Sequence, residues 1–111
     1  MTNISEYTIQ QTFKQWCDKQ DFIALHWHIP NGMHASSKEG RLFKQQGLRK
    51  GMPDYWVLLK NKKLIVIEFK TAIGKLSAEQ QQILHILTEC NIPNRVCRSA
   101  HEAVQFVREF A

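Results

Sequence analysis

Cysteine and long apolar runs are both scarce in this sequence. The three cysteines are odd in number and show no C-x-x-C spacing, so they do not form a disulfide framework. No apolar run approaches the ~20 residues that a membrane-spanning helix needs, and the polar N-terminus is not that of a signal peptide. We therefore expect reduced thiols, a cytoplasmic location and no membrane partner.

Acidic residues are also fewer than basic ones. Ten Asp and Glu residues stand against fifteen Lys and Arg residues, which gives a formal net charge of +5. An excess of positive charge favours a polyanionic partner. Residues 38–50 hold five of these bases against one acid: Lys38, Arg41, Lys44, Arg49 and Lys50. Their position directly before the acidic residues described below favours phosphate contacts, although a loop kept soluble by its charge has the same composition.

The sequence has no internal repeat and no low-complexity tract. At 111 residues, 43% of them hydrophobic, the chain has the composition of one globular domain over residues 1–111. Periodicity and capping residues predict the order α, β, short α, β, β, α, β, α. This order predicts an α/β fold with one mixed sheet and helices on both faces. Two predicted helices cover residues 5–19 and 37–46, and two more begin at Ser77 and Ser99. The predicted strands cover 22–29, 54–60, 63–70 and 95–98.

Three charged residues mark the ends of the two central strands. Asp54 begins the first strand, and Glu68 and Lys70 end the second. Residues two apart on a strand point to the same face, so Glu68 and Lys70 project together while Phe69 points away. A two-residue turn would place Asp54 opposite Phe69, on the wrong face. We therefore predict that the connection has an odd number of residues or carries a bulge.

The three side chains have the chemistry of a divalent-cation site. Phosphodiester hydrolysis requires an activated water and neutralisation of the charge on phosphate, and Mg²⁺ supplies both. Magnesium prefers carboxylate oxygens, which Asp54 and Glu68 offer, and the Phe69 carbonyl lies between Glu68 and Lys70. Lys70 would orient the attacking water or stabilise developing negative charge. The alternative is an exposed cross-strand ion pair, worth ~0–1 kcal/mol, but charges at the ends of strands that are apolar on both faces are costly to hold without a function.

Two histidines lie on one face of the first predicted strand. His26 and His28 are two residues apart, so a metal pair is conceivable. No third ligand of a suitable type lies nearby in the sequence. We therefore expect these histidines to be half-exposed packing residues.

The motifs around the central strands resemble those of known nucleases. Pro53-Asp54 followed by Glu68-Phe69-Lys70 resembles the P-D…(D/E)-x-K signature of the restriction-endonuclease-like superfamily. More narrowly, the pattern resembles the VRR-NUC family through Gly47-x-x-x-Gly51-x-Pro53-Asp54, Glu68-x-Lys70, Gly74-Lys75-Leu76-Ser77 and Gln80. The similarity extends from Pro30-Asn31-Gly32 to Val96-Cys97-Arg98. It implies an αβββαβ core, a requirement for Mg²⁺ or Mn²⁺ and endonuclease activity on DNA.

The resemblance also implies roles for individual residues. It assigns metal ligation to Asp54, Glu68 and the Phe69 carbonyl, and it makes Lys70 the catalytic lysine. It aligns Glu6 with the acid of the family's first helix, although a favourable position in the helix dipole also explains this residue. Gln80 matches a glutamine that follows the second central strand, where a capping box explains it equally well. The residues expected to contact DNA are Asn31, Arg41, Lys44, Arg49, Lys50 and Lys75.

Small stand-alone members of the family are similar to Holliday-junction resolvases of phages and bacteria. The resemblance therefore implies a structure-specific endonuclease that acts as a homodimer on branched DNA in repair or recombination, without an organic cofactor. Two alternatives remain open. One is a nucleic-acid-binding module that keeps the fold without cleaving, and the other is a nuclease that nicks ordinary duplex DNA or acts on RNA. No sequence feature separates junction cleavage from the second alternative.

Overall fold

Three helices and four strands have bounds within the part of the chain that the structure describes. The computed structural model describes residues 4–30, 41–42, 45–47 and 49–111. The elements are α1 (Glu6–Cys17), β1 (Ile23–His28), β2 (Tyr55–Leu59), β3 (Leu64–Phe69), α2 (Ala78–Glu89), β4 (Asn94–Cys97) and α3 (Ala100–Arg108). None of these described helices is long and apolar enough to cross a membrane.

The short helix predicted near 37–46 lies largely outside the described residues. Of that segment the structure describes residues 41, 42, 45 and 46. The Gln46 N–H donates to the Leu42 carbonyl at 3.1 Å, which is the spacing of a helical turn.

The four strands form one mixed sheet in the order β1-β2-β3-β4. β1 pairs antiparallel with β2, and β2 pairs antiparallel with β3. β4 lies parallel to β3, so the chain must cross the sheet between them, and α2 supplies that crossover. The predicted αβββαβ core and the mixed sheet are confirmed.

Helices cover both faces of the sheet, as the two-sided apolar strands predicted. On one face α1 and α3 pack on the residues of odd number in β2 and β3, and Phe13 meets Tyr55 and Phe69 with ring centroids 5.4 and 5.5 Å apart. On the other face α2 packs Ile83 and Leu87 against Val66. Burying one such apolar side chain contributes roughly 1.5–3 kcal/mol, so the two faces supply most of the stability.

Serine residues start all three helices. Ser5, Ser77 and Ser99 each accept a hydrogen bond from the backbone N–H three residues later, at 3.1 Å. At Ser77 the capping box is complete, because Gln80 Oε1 accepts from the Ser77 N–H at 2.8 Å. Each cap stabilises its helix by ~0.5–2 kcal/mol.

A three-residue connection joins β2 to β3. The Leu59 N–H donates to the Lys63 carbonyl at 2.9 Å, which leaves Lys60, Asn61 and Lys62 as the loop. Lys62 adopts the left-handed conformation, with φ 76°. The register pairs Tyr55 with Ile67. Continued by one residue, it places Asp54 opposite Glu68, so the predicted odd connection is confirmed.

Candidate active site

Asp54 and Glu68 meet at the end of the sheet where β2 begins and β3 ends. Both side chains are largely withdrawn from solvent, with Glu68 1% exposed and Asp54 9% exposed. Asp54 Oδ2 accepts a hydrogen bond from the Phe69 N–H at 2.9 Å. The Asp54 carboxylate is therefore fixed to the backbone of β3 beside Glu68.

The backbone of Asp54 is held by the neighbouring strand. The Ile29 N–H donates to the Asp54 carbonyl at 2.8 Å, and His28 Nδ1 donates to the same oxygen at 3.0 Å. On the other side Trp56 Nε1 donates to the Pro53 carbonyl at 3.1 Å. These bonds fix the backbone of Asp54 to β1 and to the indole of Trp56.

Gly51 brings that loop against the start of α2. Its φ is +88°, and a Cβ there would lie 2.8 Å from Glu79 Cβ and 2.9 Å from the Glu79 carbonyl carbon. Only glycine fits both the conformation and the space. The glycine therefore decides how closely the segment leading to Asp54 packs on α2.

Glu68 is a buried carboxyl group whose loss of hydration is not fully compensated by hydrogen bonds. Burial is the largest of the effects that raise its pKa from 4.5 to about 10, and its hydrogen bond with Asp54 and the charges of Asp54 and Glu6 act in the same direction. The Lys70 charge opposes them. Glu68 Oε1 is buried and has no hydrogen-bond partner among the residues that the structure describes. A carboxyl pair with an unsatisfied oxygen fits a cation that would neutralise both groups, so the residues present suit a divalent metal ion.

Glu6 is not part of the Asp54–Glu68 pair, although its charge acts on Glu68. It is an exposed residue in the first turn of α1. Within the described ranges, no three His, Cys, Asp or Glu side chains lie close enough together to hold a metal ion. The structure therefore brings Asp54 and Glu68 together and leaves a metal role for Glu6 as a prediction.

Lys70 completes the charged group from the end of β3. The residue is partly exposed, and its N–H donates to the Cys97 carbonyl of β4 at 3.1 Å. Its charge lowers the pKa of Glu68, against the larger effect of burial, and a catalytic role for Lys70 stays a prediction. Phe69 between them has a fully buried ring that packs on Phe13, and a metal role for its carbonyl stays a prediction.

The other sequence-predicted site residues lie around this pair or outside the described ranges. Gln80 uses Oε1 in the cap of α2, so the capping role is the one that the structure shows. Arg41, Arg49, Lys50 and Lys75 are exposed, and Lys50 lies 3.7 Å from Glu79. Asn31 and Lys44 lie outside the described residues.

The two histidines of β1 have separate partners. His26 contacts Asp18 through Nε2 at 2.8 Å and the Tyr55 hydroxyl through Nδ1 at 2.7 Å. His28 donates to the Asp54 carbonyl. Both nitrogens of His26 are thus engaged with protein groups, and His28 serves to position Asp54. The sequence placed these histidines on one strand face but contained no signal for the contact with Asp54.

Arg98 is a residue near the site whose role the sequence did not predict. Its Nη1 donates to the carbonyls of Thr71 and Gly74, at 2.7 Å each. It thereby fixes the turn that follows Lys70. The one available signal was its position directly after the last strand, in the Val96-Cys97-Arg98 segment of the motif.

Comparison with known proteins agrees with this geometry. A solved structure described as a "VRR_NUC domain protein" has a TM-score of 0.80 to this chain at 17% sequence identity, and the alignment covers 98% of this chain and 89% of that chain. At that identity the likeness concerns the fold. No curated protein matches the sequence. The family model of the VRR-NUC domain matches residues 4–101, a span that contains Asp54, Glu68 and Lys70 on their two paired strands. The chain belongs to the VRR-NUC domain family.

Proposed function

We propose that this protein is a metal-dependent DNA endonuclease that cuts branched DNA as a homodimer. Membership of the family makes it a nuclease-type domain that binds nucleic acid. The observation that carries the more specific proposal is the buried carboxyl pair of Asp54 and Glu68. Within the described ranges Glu68 Oε1 lacks a hydrogen-bond partner, and Asp54 is already held by a backbone N–H.

The residues of the pair have distinct parts in the proposed reaction. Asp54 and Glu68 would hold Mg²⁺ or Mn²⁺, which supplies Lewis acidity and lowers the pKa of bound water. Lys70 is the cation at the site that is free to approach the phosphate or the attacking water, since it is partly exposed while both acids are buried. Water adds to phosphorus and gives up a proton, the bond to the leaving oxygen breaks, and that oxygen takes up a proton in turn. His28 and the Phe69 N–H keep Asp54 in place throughout.

The experiment that tests hydrolysis compares Lys70→Ala with Lys63→Ala. Both variants remove a lysine from the β2–β3 hairpin, but Lys63 lies at its opposite end. With Mg²⁺, the parent and Lys63→Ala should cut labelled four-way junctions, and Lys70→Ala should cut them ~10²–10³-fold more slowly. EDTA should abolish cleavage by all three.

Two outcomes would contradict the proposal. A folded Lys70→Ala protein that cuts as fast as the parent would show that Lys70 takes no part in the hydrolysis. Salt-sensitive DNA binding with no products in Mg²⁺, Mn²⁺ or EDTA would instead show a binding module. Including nicked, linear and RNA substrates in the same assay measures the preference for branched DNA.

The homodimer has its own support and test. Strand β1 is at the edge of the sheet, and its Leu25 side chain is 56% exposed, so this edge can accept a second copy. Two symmetry-related active sites would suit the two strands cut during junction resolution. Light scattering after size exclusion should give twice the 13.0 kDa chain mass. A strict monomer would contradict the resolvase form of the proposal and leave the hydrolysis intact.

A further inference from the structure

The turn after β3 presents an apolar side chain to solvent beside the active site. Ile73 is 81% exposed, although turns favour Gly, Pro, Asn, Asp and Ser over a β-branched residue. A single exposed apolar residue is common on protein surfaces and by itself indicates nothing. The surroundings of Ile73 are what make its position informative.

The turn is held rigidly. The Gly74 N–H donates to the Thr71 carbonyl at 3.2 Å, which closes the turn with Ile73 near its tip. Arg98 Nη1 donates to the carbonyls of both Thr71 and Gly74 at 2.7 Å. Arg98 thus joins the two ends of the turn from outside it, so the tip is not an ordinary mobile loop.

The turn is also tied to the catalytic lysine. A Cβ on Gly74 would lie 3.4 Å from Lys70 Cδ, so the backbone of the turn packs on the Lys70 stem. Three residues of chain span at most about 11 Å, so the Cα atoms of Lys70 and Ile73 lie no farther apart than that. The exposed apolar tip is therefore a neighbour of the lysine at the candidate active site.

The charges around the tip favour nucleic acid as its partner. Lys70 and Lys75 flank the turn, Arg98 lies behind it, and no acid occurs between Glu68 and Glu79. Apolar side chains flanked by basic residues unstack and kink DNA by entering between neighbouring base pairs. Protein partners are usually bound through apolar patches of several residues, whereas Ile73 is a single apolar side chain between cations.

We propose that Ile73 is a wedge that enters between adjacent bases and opens the DNA next to the cleaved bond. The wedge rests on the proposed nuclease function and adds a source of substrate preference to it. DNA that is already unstacked at that step, as at a bulge or an abasic site, has no need of the wedge. The preferred substrate is then DNA that is readily opened beside the cut, as it is at a branch point.

The test compares Ile73→Ser with Ile73→Leu and with Ile86→Ser. Ile86 is a second exposed isoleucine, 41% exposed on α2, and it provides the same chemical change away from the turn. Substrates are a fully paired duplex or junction and the same DNA with an abasic site at the cleavage step. Ile73→Ser should lower kcat/KM on paired DNA by about tenfold or more and change cleavage of abasic DNA less than twofold, because only the paired step must be opened. Ile73→Leu and Ile86→Ser should behave as the parent.

A second readout detects opening without cleavage. The fluorescence of 2-aminopurine at the step should rise when the Lys70→Ala protein binds. It should not rise when the double variant Lys70→Ala, Ile73→Ser binds. Arg98→Ala, which releases the turn, should reproduce the loss. Equal slowing of both substrates by Ile73→Ser, or an unchanged fluorescence rise, would overturn the wedge. If the parent itself cuts no DNA, the proposed function fails instead, and the fluorescence experiment still tests the wedge.

Discussion

At the scale of single residues, Glu68 is the acid of the site for which burial is most unfavourable to the charged form. Its neighbours Val66, Ile67 and Phe69 are fully buried hydrophobic residues, which is the ordinary use of a central strand. A carboxyl group there gains no stability from burial and leaves one oxygen without a partner among the described residues. In the metal-free protein such a group should be visible in the pH dependence of stability.

We predict that Glu68→Gln flattens this pH dependence. Burial raises the pKa of Glu68 from the ordinary 4.5 to about 10, so the folded protein binds this proton more tightly than the unfolded chain does. The stabilising contribution of that proton is fully present below pH 4.5 and is lost as the pH rises toward 10, so the free energy of unfolding falls across this window. Thermal denaturation in EDTA between pH 5 and pH 9 measures it, with Glu89→Gln at an exposed site as the control. A Glu68→Gln protein that keeps the parent's slope would show that Glu68 does not cause it.

We predict that Gly51→Ala reduces both stability and activity. An alanine there must adopt an unfavourable φ and also displace Glu79, and backbone strain of this kind alone costs ~1–3 kcal/mol. Gly47→Ala is the matched control, because Gly47 also has a positive φ but no atom of the described residues lies within 4 Å of its Cβ position. Gly51→Ala should lower Tm more than the control and slow cleavage, since it shifts the segment that leads to Asp54. Equal effects of the two substitutions would count against the packing role of Gly51.

At the scale of elements, the β2–β3 hairpin is what brings the two acids together. Its odd loop puts Asp54 and Glu68 on one face, and Lys62 accommodates the loop by adopting φ 76°. Asn61 supports the same geometry, because its Oδ1 accepts from the Lys63 N–H at 3.0 Å and its Nδ2 donates to the Phe110 carbonyl at 2.8 Å. The register of the active site thus depends on a loop at the far end of the strands.

We predict that Lys62→Gly stabilises the protein by up to ~1 kcal/mol and leaves cleavage unchanged, because glycine adopts a positive φ without the clash of a Cβ. Chemical denaturation measures the free energy of unfolding. Lys60→Gly in the same loop serves as the control, since Lys60 is not among the residues with positive φ. It should destabilise or have no effect. A loss of stability in Lys62→Gly would mean that the loop has another conformation.

At the scale of the whole molecule, the site lies at one end of a sheet that is covered on both faces. In the described part of the chain, α1 and α3 cover one face and α2 the other, so nucleic acid would approach Asp54 and Glu68 from that end. Arg49 and Lys50 on the segment before β2 and Lys75 after β3 are exposed there. The excess of positive charge is therefore useful to binding mainly at this end.

We predict that Arg49→Ala and Lys75→Ala each weaken DNA binding in a salt-dependent way. Each lost phosphate contact should reduce the slope of log K against log salt by about 1. Lys60→Ala should leave the slope unchanged, because Lys60 lies at the opposite end of β2 from Asp54. Titrations of labelled DNA at several salt concentrations measure the slopes. A reduction by Lys60→Ala as large as that by Lys75→Ala would show that binding is not confined to the site's end of the sheet.

The sequence by itself determined the local features of this protein. Serine caps, strand alternation and the two-sided apolar strands depend on neighbours within about four residues, and they predicted the helices, the faces and the closeness of Asp54 and Glu68. Tertiary structure alone decided the contacts between residues far apart in the chain. Gly51 packs on Glu79, His28 and Ile29 hold the Asp54 carbonyl, and Arg98 fixes the turn at Ile73. Such contacts follow from how the helices close on the sheet, because the distance between two remote residues is set by the packing of the whole core and is not encoded in any short stretch of sequence.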